Sequence, residues 1–289
     1  MSRKTVRVAP ITAADLPTVA EFLHANLNRR LSAEVWARSL TVPWKVDAPN
    51  HGFMLVAGDG AVVGAYLAFY ADRTIDGERE SFCNLAGWCV LPEHRFHSVR
   101  LLSALLAQEG YHFTDLSPSG SVVPINQRCG FQLLDTTLAA VPNLPWPSLP
   151  GRVRVSCDPR VIERLLSGPE LELYRDHVGA QAARHVVLSR GGETCYVVFR
   201  RDRPKNLPLF ASIVHVSNPA LFRRAFRPFA RHLLLRHGLP ATLVEPRLAG
   251  PRPWPAVNLG SPRHKMFRSR RLRSEHIDYL YSELVCVPF

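Results

Sequence analysis

The stretch from Asn84 to Leu106 constrains this chain more than any other. It opens as an apolar run, Asn84-Leu85-Ala86-Gly87-Trp88-Cys89-Val90-Leu91, breaks at Pro92, and resumes with Val99, Leu102, Leu105 and Leu106 at helical spacing. A strand that gives way to a helix across a short polar loop places that loop at a helix N-terminus. Backbone N–H groups there have no intrahelical partners, and the helix dipole adds positive potential. Arg95, His97 and Arg100 add side-chain donors, so the segment suits an anion such as a pyrophosphate.

The flanking segments supply a sheet for that strand. Val6 to Pro10 reads as a first strand, and Thr12-Ala13-Ala14-Asp15 as a capping box ahead of a helix whose inward stripe is Leu16, Val19, Ala20, Phe22 and Leu23. A second helix starts from Ser32, with Val35, Trp36 and Leu40 inward. Residues 51–57 and 61–70 form a hairpin across Gly58-Asp59-Gly60, and the Asp76-Gly77 turn delivers the central strand. The helix after Ser98 runs to about Gln108, Gly110 stops it, and Tyr111 to Leu116 is the next strand. A short helix and a last strand follow around Arg128-Cys129-Gly130-Phe131.

Val90-Leu91-Pro92-Glu93-His94-Arg95 resembles the central motif of the GNAT (GCN5-related N-acetyltransferase) superfamily, a strand ending in Val-x-Pro ahead of Arg/Gln-x-x-Gly-x-Gly/Ala. Val63-Gly64 and the ending Gly130-Phe131 resemble two further landmarks of the same family. The resemblance implies an α/β (α+β) fold over residues 1–140, in which Tyr111 to Leu116 splays from the central strand to admit the pantetheine arm of coenzyme A. It implies acetyl-CoA, or another acyl-CoA, as co-substrate, and Val90, Arg95, Phe96, His97, Ser98, Val99 and Arg100 as its binding residues. Two positions depart from the pattern. Ser98 stands where the first glycine is expected and Arg100 where a small residue is expected, so both add bulk where backbone approaches phosphate, and Arg100 must swing outward. The tyrosine that often protonates the leaving thiolate is here Asn126, which cannot do so at neutral pH. Ser117, Ser119 or Tyr111 are substitutes, and Glu80, Asp115 and His112 are candidate bases. Cys89, Asp115, Ser117 and Asn126 are the expected catalytic positions, with main-chain amides near Cys89 and Val90 for the thioester oxygen.

Residues 141–151 carry four prolines, which bar a helix interior or a central strand, and read as a linker. Residues 152–289 repeat the order of elements, with strands at 152–155, 185–188, 195–199, 209–216 and 242–244. Asp158-Pro159 and Asn218-Pro219 start helices, the latter with Phe222, Phe226, Phe229, Leu233 and Leu234 inward, and Ile277 to Val287 reads as a closing strand on which Glu283 faces the inter-domain groove. The expectation is therefore two GNAT-like domains, each a mixed, mostly antiparallel twisted sheet flanked by helices, the second degenerate. Pro219 removes a phosphate donor from the second loop, so that copy is expected to bind no coenzyme A.

Charge separates the halves. Residues 1–150 hold 12 Lys+Arg against 13 Asp+Glu, and residues 151–289 hold 24 against 11. Such a field suits an anionic partner, although arginine runs are more often solvated faces. The densest run, Arg263 to Arg273, has only Phe267 as a stacking platform, which weighs against nucleic acid. With 46% hydrophobic and 21% charged residues and no apolar run near the ~20 residues that span a bilayer, a cytoplasmic protein without membrane contact is expected. The six cysteines show no zinc spacing, so reduced thiols and no metal are expected.

Three functions fit. The first is acyl-CoA-dependent transfer, acetyl in the simplest case, to the amine of a small acceptor that is anionic if the basic half attracts it. The second is aminoacyl-tRNA-dependent transfer of the peptidoglycan-bridge type, whose enzymes pair such domains and need no coenzyme A loop. The third is a non-catalytic GNAT-like binding protein.

Overall fold

The computed structural model describes residues 5–147, 153–202, 209–251, 255–261 and 263–289. The first half gives β1 (Val6–Pro10), α1 (Leu16–Asn26), α2 (Ala33–Leu40), β2 (Gly52–Ala57), β3 (Val62–Ile75), β4 (Glu78–Val90), α3 (Ser98–Leu106), β5 (Tyr111–Asp115), α4 (Val123–Arg128), β6 (Gln132–Leu133) and β7 (Leu138–Pro142). The second half gives β8 (Arg154–Ser156), α5 (Pro159–Leu165), α6 (Gly168–His177), β9 (Arg184–Arg190), β10 (Glu193–Asp202), β11 (Phe210–Val216), α7 (Pro219–His237), β12 (Ala241–Val244), α8 (Pro246–Ala249), β13 (Val257–Gly260), β14 (Met266–Arg268) and α9 (Glu283–Cys286).

Local chemistry starts these helices where the sequence indicates. Thr12 N–H donates to Asp15 Oδ2 at 2.9 Å, and Ser32 Oγ accepts from Val35 N–H at 3.3 Å. Asp158 Oδ1 and Asn218 Oδ1 accept from the Arg160 and Leu221 amides, each at 2.9 Å. These oxygens satisfy donors that a helix leaves open in its first turn. No helix among the described residues is long and apolar enough to cross a membrane.

The chain divides into two compact units. The first contains a seven-stranded sheet ordered β1-β2-β3-β4-β5-β14-β6, antiparallel except between β4 and β5. On one face α3 buries Leu101, Leu102 and Leu105 against Tyr66, Ala68, Leu85 and Phe113. The second unit contains a seven-stranded sheet ordered β13-β7-β12-β11-β10-β9-β8, in which β11 and β12 are the parallel pair. There α7 buries Phe222, Phe226 and Phe229 against Val197, Phe199 and Ile213.

Three expectations give way here. Residues 135–264 form most of the second unit, whereas 265–277 and 281–287 belong to the first, so the division is neither at 141–151 nor contiguous. Leu138–Pro142, read in part as linker, is a strand paired with β12 and β13; Pro142 closes it at the end, where a missing donor is tolerated. Residues 277–287 form no strand, because the chain turns into α9, with Ser282 Oγ accepting from Leu284 N–H at 3.2 Å.

The returning segment is held by more than its ladder. His112 Nε2 donates to Glu80 Oε2 at 2.7 Å, Arg271 pairs with Glu80, and Ser269 Oγ donates to His112 Nδ1 at 2.8 Å while accepting from the Leu272 amide at 2.7 Å. Arg268 lies over the Phe113 ring and Arg273 pairs with Glu275, so much of the basic run is spent on local contacts. Met266, fully buried between β5 and β6, is the apolar part of the anchor. Met266→Ala is expected to lower stability by about 2–5 kcal/mol, read from urea denaturation, because the void lies between two strands and cannot collapse.

Candidate active site

The site is built from the way β4 and β5 part. Their parallel pairing runs from Ser81↔Tyr111 to Leu85↔Asp115 and stops there, while β4 continues to Val90. On its other side β4 stays bonded to β3, with Ala65 opposite Cys89 and Leu67 opposite Ala86. Gly87 and Trp88 together therefore face the single residue Tyr66, a bulge in β4 just beyond the parting. Gly87 takes φ 61°, and a Cβ there would stand 3.0 Å from Leu67 Cδ1. The Trp88 ring stacks on Tyr66, centroids 4.5 Å apart and 9° from parallel, and its indole N–H is buried without a hydrogen-bond partner.

Three of the four expected catalytic residues meet at the apex of this opening. Asp115, the last residue of β5, is buried, and its Oδ2 accepts from Asn126 Nδ2 at 2.8 Å and from the Tyr66 hydroxyl at 3.4 Å. Burial pushes its carboxyl up to about 6, against the pull of bonds from Asn126, the Ser117 amide and Tyr66. Burial, with the Asp115 charge beside it, raises the Tyr66 hydroxyl well above its ordinary range, so it stays protonated as a donor. Asn126 is fully buried, and its Oδ1 has no partner. Ser117 Oγ donates to Glu283 Oε1 at 2.7 Å, and the Glu283 amide donates to Asn84 Oδ1 at 3.0 Å.

Cys89 takes no part in this hydrogen-bonded group. It lies on the bulged strand, and burial raises its thiol above the usual range despite nearby Arg95, so at neutral pH it is no thiolate nucleophile.

The phosphate-side loop is a 3-10 turn, Pro92–His97, running into α3. Its amides are partly committed: His94 N–H donates to Leu91 O at 2.9 Å and Ser98 N–H to Arg95 O. Arg100 does not swing outward; its Nη1 donates to Val6 O at 2.9 Å and lies 3.2 Å from His97 Nδ1. Phe96 and Val99 are 76% and 52% exposed, and Val90 sits at the end of β4 opposite Gly64.

Sequence reasoning missed Tyr66, Trp88 and Asn84, which lie in apolar strands where periodicity carries no signal for a single polar atom. It noticed Glu283 but assigned it to a strand and a groove; the residue instead sits on α9 in the first unit, bonded to Ser117.

By sequence the chain matches no known protein family and no curated protein. By structure it has the fold of the GCN5-related N-acetyltransferases. The similar structures include a GCN5-related N-acetyltransferase from Anabaena variabilis ATCC 29413, with TM-score 0.58 and 12% identity over 91% of this chain and 72% of that one. Another, from Kribbella flavida, has TM-score 0.56 and 17% identity over 91% and 71%. A conserved protein of Enterococcus faecalis V583 has TM-score 0.57 and 15% identity over 94% and 74%.

Gly87→Ala is expected to lower stability by about 1–2 kcal/mol, because a side chain at positive φ is strained and the new methyl presses on Leu67. Thermal unfolding of the variant measures it.

Proposed function

We propose that this chain is an acyltransferase that passes an acyl group, acetyl in the simplest case, from an acyl-CoA thioester to the amine of a small acceptor. The observation that carries the reading is the parting of β4 and β5 with Asp115, Ser117 and Asn126 at its apex. A bound acyl-CoA would supply the activated carbonyl of its thioester, with coenzyme A as the leaving thiol. The main-chain amide of Val90, which points to the edge of β4 that β5 leaves uncovered while the Cys89 amide points to β3, is assigned to the carbonyl oxygen, where charge develops as the amine attacks. Asp115, ionised at neutral pH with a carboxyl near 6, accepts the proton of the amine. Asn126 has no proton to give and orients Asp115 through its amide group. Ser117 O–H, held by Glu283 in the free protein, is assigned to turn to the leaving thiolate as a hydrogen-bond donor, the proton that the sulfur takes up coming from solvent. Acetyl-CoA as donor suits a cytoplasmic setting.

The phosphate end differs from the pattern in the sequence motif. With Arg100 bonded to Val6 and two loop amides used internally, Arg95 and the histidines are assigned to the pyrophosphate, with Phe96, Ser98 and Val99 forming the surface beside it. A second reading, a GNAT-like protein that no longer binds coenzyme A, is favoured by those same committed groups. Calorimetry with acetyl-CoA separates the two: micromolar binding supports the first and absence of heat overturns it. Arg95→Ala is expected to weaken binding by about 1.5–3 kcal/mol, the range for a charge-assisted bond, while Ser98→Ala stays within a few-fold.

The Asp115 assignment predicts a pH profile. A base acts only when ionised, so kcat/KM should rise with pH through about 6 and then level. Asp115→Asn should remove that limb and lower kcat by about 10²- to 10⁴-fold. A variant that keeps both limb and rate would remove Asp115 from the reaction.

A further inference from the structure

The second unit brings together three soft ligands that sequence spacing conceals. Cys157 directly follows β8, while His232 and His237 lie near the end of α7, with ring centroids 5.4 Å apart. One ligand atom from each, the Cys157 sulfur and a nitrogen of each imidazole, all lie within 4.8 Å of one another. Donors around a tetrahedral ion with bonds of 2.0–2.3 Å stand about 3.5 Å apart, so small rotations close the set. We propose that Cys157, His232 and His237 form a binding site for a divalent zinc-type ion, with a fourth position for water.

Several independent features support the site. The Nε2 atoms of both histidines are buried without hydrogen-bond partners, an arrangement that costs stability unless something occupies them. Burial lowers both imidazoles, His237 to about 4, so at neutral pH each keeps the lone pair a metal needs. His237 is the last residue of α7, where the helix dipole favours a cation. His232 also lines a groove of about 320 Å³ between Val153 and Val155 on one side and Pro228, Arg231 and Leu235 on the other, which gives the fourth position a route to solvent.

Positive neighbours work against it. Besides the other histidine, Arg201, Arg236 and Arg184 all depress His237, and Arg201 Nη2 lies 3.2 Å from His237 Nδ1. A guanidinium only donates, so in the metal-free protein the His237 proton sits on Nε2. Ligation through Nε2 moves that proton to Nδ1 and requires Arg201 to leave; ligation through Nδ1 displaces Arg201 directly. Either way Arg201 competes with the ion, while the Cys157 thiolate offsets part of the surrounding positive charge. A mutation that removes a side chain near the cluster should therefore tighten binding, the opposite of what loss of a structural contact would do.

The test uses the full chain, stripped with chelator and titrated with Co²⁺ as a spectroscopic stand-in for Zn²⁺. The expected result is one equivalent bound, with a thiolate-to-cobalt charge-transfer band and the visible bands of a tetrahedral ion, all displaced by Zn²⁺. Cys157→Ser should abolish the charge-transfer band, and His232→Gln should weaken binding more than about tenfold. Arg201→Ala should tighten it several-fold, and Cys129→Ser, in the first unit, should change nothing. Cys157 packs against the core of the second unit, so His232→Gln, at a half-buried position, decides the matter should Cys157→Ser not fold. No thiolate band in the parent, a band that survives Cys157→Ser, or affinity indifferent to His232→Gln would overturn the site.

Discussion

Everything proposed for the first unit depends on a parallel strand pair that ends early. β4 and β5 exchange hydrogen bonds only as far as Leu85 and Asp115, and β4 runs on to Val90 bonded to β3 alone. A strand edge inside a sheet that no neighbour covers presents main-chain donors and acceptors for a guest, a condition proteins avoid unless it is used. The bulge at Gly87 and Trp88 follows directly. It shifts the register of β4 against β3, twists the free edge, and places the Trp88 ring on Tyr66. Asp115 is at the apex because it is the last residue for which β5 still has a partner.

Such an apex is costly. Asp115 in the unfolded chain would titrate near 3.8, and in the fold it titrates near 6. A folded-state value above the unfolded one means that the native protein binds the proton more tightly. The penalty of burying the charge is therefore absent below the unfolded value, grows as pH rises between the two, and is fully present above about 6. At neutral pH it is about 3 kcal/mol, an order-of-magnitude figure at 1.36 kcal/mol per unit. A purely structural carboxylate held by Asn126, a backbone amide and a tyrosine would gain more from a lower value. The bonds from Asn126, the Ser117 amide and Tyr66 offset part of that penalty by favouring the ionised carboxylate, the form that the proposed base needs.

Much of this architecture was legible in the chain. The caps Ser32, Asp158 and Asn218 and the alternation from strand to helix around Pro92 are local signals, and each is found in place. What escaped is nonlocal. β14 is three residues, Met266 to Arg268, inside a basic run, and its role comes from pairing with β5 and β6 far away in sequence. Val141 and Pro142, the end of the strand Leu138–Pro142, read as linker until β12 takes that strand as a partner. Glu283 looked like an acid on an apolar strand because a helical turn of four residues has no periodicity to reveal it. Asp115, Ser117 and Asn126 were individually visible; that they bond to one another and to Tyr66 was not.

The second unit also contains a parallel strand pair that ends early, with different chemistry beside it. β11 and β12 part after Ser212 and Leu243, β11 continues to Val216, and a bulge interrupts its pairing with β10, as in the first unit. Yet Asn218 caps the following helix and Pro219 has no N–H, so the donors an anion would use are consumed or missing. Ser212 donates instead to Asp202, which also pairs with Arg200 and Arg263. Assigning residues by unit rather than by half gives 17 Lys+Arg and 14 Asp+Glu to the first and 19 and 10 to the second, so the basic surplus stays with the second. Among its cations, Arg224 pairs with Glu193 and Arg247 with Glu245, while Arg227 stacks on Trp146 and keeps its charge. The positive field of this unit is thus carried by what remains after local pairing, and a surplus distributed in that way draws anions over a Debye length without defining where they dock.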